Sequence, residues 1–206
     1  MKKYHLFLII IFTIVWVWGA IDPIMREDWL LENILVLIFV PLVILIGRHF
    51  KFSYTSYTLI TLFLILHIIG AHYTYVRVPF GDTVAHLLGE NRNAYDRLVH
   101  FSFGLMIAYP AREIFVRVSK IKGFWSYFFP VDVILSVSAA YEVFEWFIAA
   151  KVSQVSSIAF LGTQGDQWDT QKDMFLAGAG AICIMLIIFS INKFVLKREI
   201  IFERNA

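Results

Sequence analysis

Long unbroken apolar runs alternate along this chain with short polar connectors. Each run is close to the roughly 20 residues that a helix needs to cross a hydrocarbon core about 30 Å thick. Six segments qualify: 4–21, 30–46, 54–73, 98–116, 127–150 and 170–195. None shows the apolar–polar alternation of a membrane barrel strand. Pro41 is expected to kink the second segment and Pro110 the fourth without ending them, because neighbouring helices can satisfy the freed carbonyls. The pattern predicts an all-α, polytopic membrane helix bundle with six transmembrane helices. With no repeat, low-complexity tract or linker, residues 1–206 read as a single integral membrane domain.

Composition agrees. The chain is 59% hydrophobic and only 17% charged, unlike a soluble domain of this size. A net charge of +2 gives no footprint for nucleic acid. The lone cysteine, Cys183, can form neither an internal disulfide nor a zinc-type pair. The basic start and first apolar run resemble a secretory signal, but Trp18 at the minus-three position fits cleavage poorly, so an uncleaved first helix is expected.

Charge asymmetry sets the orientation. One set of helix ends holds eleven basic residues: Lys2, Lys3, Arg48, Lys51, Arg117, Lys120, Lys122, Lys193, Lys197, Arg198 and Arg204. The other holds six: Arg26, Arg77, Arg92, Arg97, Lys151 and Lys172. Acids favour the second side, with Asp22, Glu27, Asp28, Glu32, Asp82, Glu90 and Asp96. Both termini are therefore expected in the cytoplasm, with loops 73–98 and 151–169 outward.

Charged residues inside apolar runs are expensive and usually face the bundle interior with a partner. Near the inner side lie Arg112, Glu113 and Asp132. Arg112 and Asp132 fall at one depth on antiparallel neighbours and are expected to form a structural ion pair. Near the outer side the polar residues are denser. Asp96 and His100 are four apart, Glu142 and Glu145 three apart, and Asp169 and Asp173 four apart, so each pair shares a helix face. Three helices thus offer acid or imidazole pairs toward one depth, where a bundle core can bring them together. Glu142 should lie about 12 Å below the end of its helix.

Packed carboxylates repel and need shared protons, cations or a metal. Carboxylate and imidazole together suit Mn, Fe, Zn or Mg. The metal ligands expected are Asp96, His100, Asp169 and Asp173. Glu142 and Glu145 are the candidate catalytic bases, since burial raises a carboxylate toward neutrality. Arg97, Gln164 and Asp166 are expected to serve substrate or structure. The stretch DQWDTQKD lacks the rhythm of a calcium loop, and neither a phosphate loop nor HExxH occurs. Nothing marks Ser153, Ser156 or Ser157 as an activated nucleophile. His67 and His72 read as interfacial anchors, and Trp29, Tyr73, Trp125, Tyr127 and Trp168 as an aromatic belt. The run Ala177–Ala181, AGAGA, reads as a close helix-packing surface.

The stretches YDRLVHFSFGL, YEVFEWF and GTQGDQWDTQKDMFLAGAGA resemble the YjdF-like family of bacterial inner-membrane proteins, over most of the chain. More remotely they are similar to VanZ-like proteins, which are associated with low-level resistance to the glycopeptide teicoplanin. The VanZ-like pattern falls on Asp96, Arg97, His100 and Phe101, on Glu142, and on Asp166, Asp169 and Asp173. Glu145 stands where Gln is usual and Asp173 where Asn is usual, and both departures add acid. The resemblance implies an inner-membrane location with the polar motif facing the envelope; it supplies no reaction.

Three functions compete. The first is an outward-facing enzyme or binder of a lipid or cell-envelope substrate, assisted by a divalent metal ion. The second is a proton-coupled small transporter, which requires a polar path from the outer acids to Arg112, Glu113 and Asp132. The third is an accessory membrane protein whose buried charges only specify packing.

Overall fold

A computed structural model of the chain describes residues 2–89, 91–152 and 154–195. Glu90, Ser153 and the basic residues Lys197, Arg198 and Arg204 lie outside the described residues. The described residues are all-helical, with no strand. The helices are α1 (Lys2–Ala20), α2 (Arg26–His49), α3 (Tyr54–His72), α4 (Gly81–Leu88), α5 (Tyr95–Arg117), α6 (Trp125–Ala149), α7 (Gln154–Leu161) and α8 (Asp169–Ser190). A π-helical turn, Ile191–Val195, continues α8. The six long helices match the six apolar runs. Helices α4 and α7 are additional, one inside each of the two long connectors.

Two boundaries differ from expectation in ways that matter. Helix α2 starts at Arg26, four residues before its apolar run, so Asp28 and Glu32 are helical and share a face. Helix α5 starts at Tyr95, which places Asp96 and Arg97 in its first turn. Both helices, and α6, run through their internal prolines Pro41, Pro110 and Pro130.

Among the described residues, four helices are long and apolar enough to cross a membrane: α1, α2, α3 and α8 with its π-turn. Helices α5 and α6 have 23 and 25 residues, about 34 and 37 Å, but carry the charges of the site. Helix α5 is central, packing against α3, α6 and α8. Helix α6 turns Val143, Trp146 and Phe147 outward, each more than half exposed.

The α5–α8 crossing is the most extensive contact in the fold. It rests on two glycines. A Cβ on Gly104 would overlap the backbone of Ala177, and one on Gly180 would overlap the backbone of Phe101. Each helix therefore seats its backbone in the notch of the other, as the AGAGA run suggested. Ala108, Ile134, Ala177, Ala181 and Met185 form the apolar core below the crossing.

Near the C-terminus of α5, Glu113 accepts hydrogen bonds from Ser53 N (2.9 Å) and Ser56 Oγ (2.5 Å), closing the N-terminus of α3. It also pairs with Arg117. The expected Arg112–Asp132 ion pair does not form. Arg112 lies over the Tyr127 ring at 4.4 Å, while Asp132 is exposed. At 100° and 1.5 Å per residue, Asp132 points about 140° away from Tyr127 and lies about 7.5 Å further along α6. Of the expected belt, Trp125 and Trp168 are exposed, whereas Trp29 is buried.

Candidate functional site

The loop GTQGDQWDTQKDM, 162–174, is held against the start of α5 by pairwise clamps. Gln164 donates from Nε2 to Asn93 O (2.9 Å) and accepts from Asn93 N (3.1 Å). Arg92 donates to Thr163 O at 2.5 Å and pairs with Asp169 at 2.5 Å. Arg97 pairs with Asp166 at 2.5 Å and lies 4.0 Å from Asp169. Lys172 adds a further contact to Asp166 at 2.6 Å. Asn93 is the hub: its amide also donates to Val78 O and Asp82. The Lys172 ammonium, the Trp168 N–H and Arg97 hold the Asp166 carboxyl down at about 2.

One turn into α8 the environment changes. Asp173 is 3% exposed, and its Oδ1 has no hydrogen-bond partner. Ligand atoms of Asp96, His100 and Asp173 all lie within 4.8 Å of one another. His100 Nε2 is 3.5 Å from Asp96 and 3.8 Å from Glu142. Among the described residues, no lysine or arginine lies within ion-pair distance of Asp96, Glu142, Glu145 or Asp173. Glu145 is within coulombic reach of Glu142, Asp96, Glu32 and Asp173. The structure thus gathers Asp96, His100, Glu142, Glu145 and Asp173, and assigns Asp169 and Asp166 to arginines.

These acids border a cavity of about 70 Å³, room for several waters. Glu32, His67, Tyr75, Asp96, His100 and Glu145 are among its walls. Ser138, Tyr141 and Glu145 follow an i, i+3, i+7 spacing, so one face of α6 supplies that wall, with Glu142 on the same face beside it. Phe160 of α7, 3% exposed, closes the outer side. Gly162 (φ +61°) lies over Asp96, and a Cβ there would stand 3.4 Å from Oδ2. Ser156 donates to Glu27 Oε2 at 2.6 Å, joining α7 to α2.

Several site residues were not singled out in the sequence. Asp28 is fully buried with both carboxylate oxygens unpartnered, and Glu32 is 3% exposed. The only signal was their four-residue spacing ahead of an apolar run. His67, read as an interfacial anchor, is instead 1% exposed. Its Nε2 faces the Glu32 carbonyl at 3.0 Å, and its Nδ1 faces the Tyr75 hydroxyl at 2.5 Å. A carbonyl can only accept, so Nε2 carries the proton and Tyr75 donates to Nδ1. Thr74 and Tyr75 both adopt positive φ, 57° and 52°, a strained state for non-glycine residues. Gly70 makes room for the phenol: a Cβ there would come within 2.6 Å of the ring. Burial, with Glu32 and Asp96 nearby, pushes the Tyr75 phenol well above its usual range.

The donor set suits a divalent cation of the Mn, Fe, Zn or Mg kind. Two ligands at about 2.2 Å from such an ion stand at most about 4.4 Å apart. Adjacent ligands in tetrahedral or octahedral geometry stand about 3.1–3.6 Å apart, so Asp96, His100 and Asp173 would hold the ion after closing by about 1–1.5 Å at their widest separation.

Comparison with known proteins agrees with the membrane architecture. The family described as "Predicted membrane protein (DUF2238)" matches residues 4–194. Inner membrane protein YjdF of Escherichia coli (strain K12) is 41% identical over 177 residues, 85% of this chain and 84% of that protein. No solved structure matches. The chain belongs to this YjdF-like family of multi-pass bacterial inner-membrane proteins, DUF2238.

Proposed function

We propose that this protein binds a divalent cation on Asp96, His100 and Asp173, at an envelope-facing site within the membrane. In this reading all six long helices span the bilayer and both termini are cytoplasmic. Lysines and arginines concentrate at the inner ends, and Asp96 and His100 of α5 and Glu142 and Glu145 of α6 face the bundle. Asp96, His100 and Asp173 would hold the cation, which would supply polarisation of a water, and Glu142 and Glu145 would accept that water's proton at a site open beneath α7 to a lipid-linked or periplasmic-side substrate.

One observation carries the reading. Asp173 is buried and keeps a carboxylate oxygen unpartnered, beside Asp96 and His100, with no lysine or arginine at ion-pair distance among the described residues. A cation offsets that uncompensated charge more fully than any side chain present. Transport is favoured less. Its inner relay would need Glu113, which closes the α3 terminus, and Asp132, which is exposed away from Arg112.

Elemental analysis of the purified full chain tests this. The expected result is a near-stoichiometric divalent ion, lost in Asp173→Asn and retained in Arg112→Gln. Absence of the ion from folded protein after incubation with Mn, Zn or Mg would overturn the proposal.

A further inference from the structure

A second cavity, far from the acids, lies between α1 and α2. The two helices lean separately on α3 and make little contact with each other. Between them is a groove of about 530 Å³. Its walls include Leu8, Phe12, Val40, Val43, Ile60 and Leu64. Leu8, Ile60 and Leu64 are buried and form the floor, while the rim residues Ile9 and Ile44 are more than half exposed. From His5 to Thr13 the groove follows α1 for about 12 Å. That is most of the roughly 15 Å half-thickness of a hydrocarbon core.

One end of the groove is polar and basic. His5, Arg48 and Tyr57 line it, and the His5 and Tyr57 rings meet at 4.5 Å. Lys3 and Lys51 flank it in sequence. None of Lys3, Arg48 and Lys51 has an ion-pair partner among the described residues. The only acid of α5's inner half, Glu113, is already taken by Ser53, Ser56 and Arg117.

We propose that this groove is a binding site for an anionic phospholipid. An acyl chain fills the apolar channel, and the phosphate is held at Arg48 with His5 and Tyr57 beside it. Charge decides between occupants. A second copy in the same membrane keeps the same orientation, so its own Lys3, Arg48 and Lys51 would meet these at one depth, like against like. A zwitterionic lipid fits the channel but brings an ammonium to the basic mouth. An anionic headgroup supplies the missing charge. The site is independent of the outer acidic cluster.

Native mass spectrometry of the full chain in detergent provides the test, with dioleoylphosphatidylglycerol or dioleoylphosphatidylethanolamine added at equal concentration. Wild type should retain the glycerol lipid about fivefold more than the ethanolamine lipid. That is the factor corresponding to the roughly 1 kcal/mol that one near-surface basic residue contributes toward anionic lipid. Arg48→Gln should bring the ratio close to one, and Arg48→Lys should restore it. Thr13→Phe, filling the channel from α1, should cut retention of both lipids with the thermal midpoint unchanged. Equal retention of the two lipids by wild type would overturn the proposal. So would a ratio that survives Arg48→Gln, or a lipid-free dimer abolished by Thr13→Phe.

Discussion

Replacing Asp173 by Asn should stabilise the cation-free protein while removing its response to cations. Ligand atoms of Asp96 and Asp173 fall within 4.8 Å, and no guanidinium or ammonium lies within 4 Å of either. At an effective dielectric constant near 20, two ionised carboxylates at that distance repel by about 3 kcal/mol. Proton sharing relieves part of this, so about 1–2 kcal/mol should be recovered when one charge is deleted. Asn is isosteric, and the Oδ1 it replaces has no hydrogen-bond partner to lose. A bound cation acts in the opposite direction, adding about 2.7 kcal/mol to wild type at a hundred times its dissociation constant. Thermal unfolding in detergent, with EDTA or with excess Mn²⁺, separates the two effects. Wild type should melt lower in EDTA and gain several degrees with Mn²⁺. Asp173→Asn should melt above wild type in EDTA and gain nothing from Mn²⁺. A variant that melts lower in EDTA and still responds to Mn²⁺ would refute both the repulsion and the ligand assignment.

Other parts of the fold make equally direct predictions. Gly104→Val should lower the unfolding midpoint by the equivalent of about 1–3 kcal/mol, because its side chain meets the Ala177 backbone rather than a flexible chain; Gly165→Ala, with nothing within 4 Å, should stay within about 1 kcal/mol of wild type despite its positive φ. Asp166 has a lowered carboxyl, so its contribution is complete above the unfolded value near 3.9 and is lost as pH falls through about 2. The difference in Trp fluorescence between wild type and Asp166→Asn should be flat from pH 5 to 8 and fall by half near pH 2, since the Trp168 backbone N–H donates to that carboxylate. Tyr75→Phe leaves His67 Nδ1 without its donor and should cost about 1–3 kcal/mol of stability, read as a lower midpoint. Gly70→Ala should displace the same ring and give a similar loss, measured the same way.

The long helices were legible because nothing else in the chain competes with runs of that length and hydropathy. The short helices were not: GDTVAHLL and QVSSIAFL are eight-residue mixtures that fix neither a period nor a span. The start of α2 was hidden for a related reason. REDWLLEN reads as a polar connector before an apolar run, which kept Asp28 and Glu32 out of the predicted site. Within α5, α6 and α8 the i, i+3 and i, i+4 spacings placed Asp96, His100, Glu142, Glu145 and Asp173 correctly as shared faces. Spacing could not tell which acids would find arginines, because Arg92 and Asn93 reach the 162–169 loop from a non-helical segment. The His67–Tyr75 pair was invisible. It depends on a left-handed turn at Thr74 and Tyr75, neither of which announces positive φ as glycine or asparagine would.

The distribution of arginines separates two kinds of acid that the sequence presents as one motif. Asp169 meets Arg92 and Asp166 meets Arg97, each at 2.5 Å, so the loop is locked by charge-assisted contacts. Those arginines pair with the loop and, among the described residues, form no ion pair with Asp96, Glu142, Glu145 or Asp173. What borders the cavity is therefore acidic: Glu32, Asp96 and Glu145 line it, with Glu142 and Asp173 beside them and only two imidazoles, His67 and His100, among them. Such a pocket attracts cations and repels free anions. A phosphate-bearing substrate could approach only with a cation already in place, and the order of binding follows: metal first, anion second. The clamped loop and Phe160 cover the same opening, so both ligands would pass α7, and the Ser156–Glu27 contact that fastens α7 to α2 becomes the place to loosen it. Ser156→Ala should then speed cation exchange without changing its stoichiometry. A change in stoichiometry with no change in rate would place the entry route elsewhere.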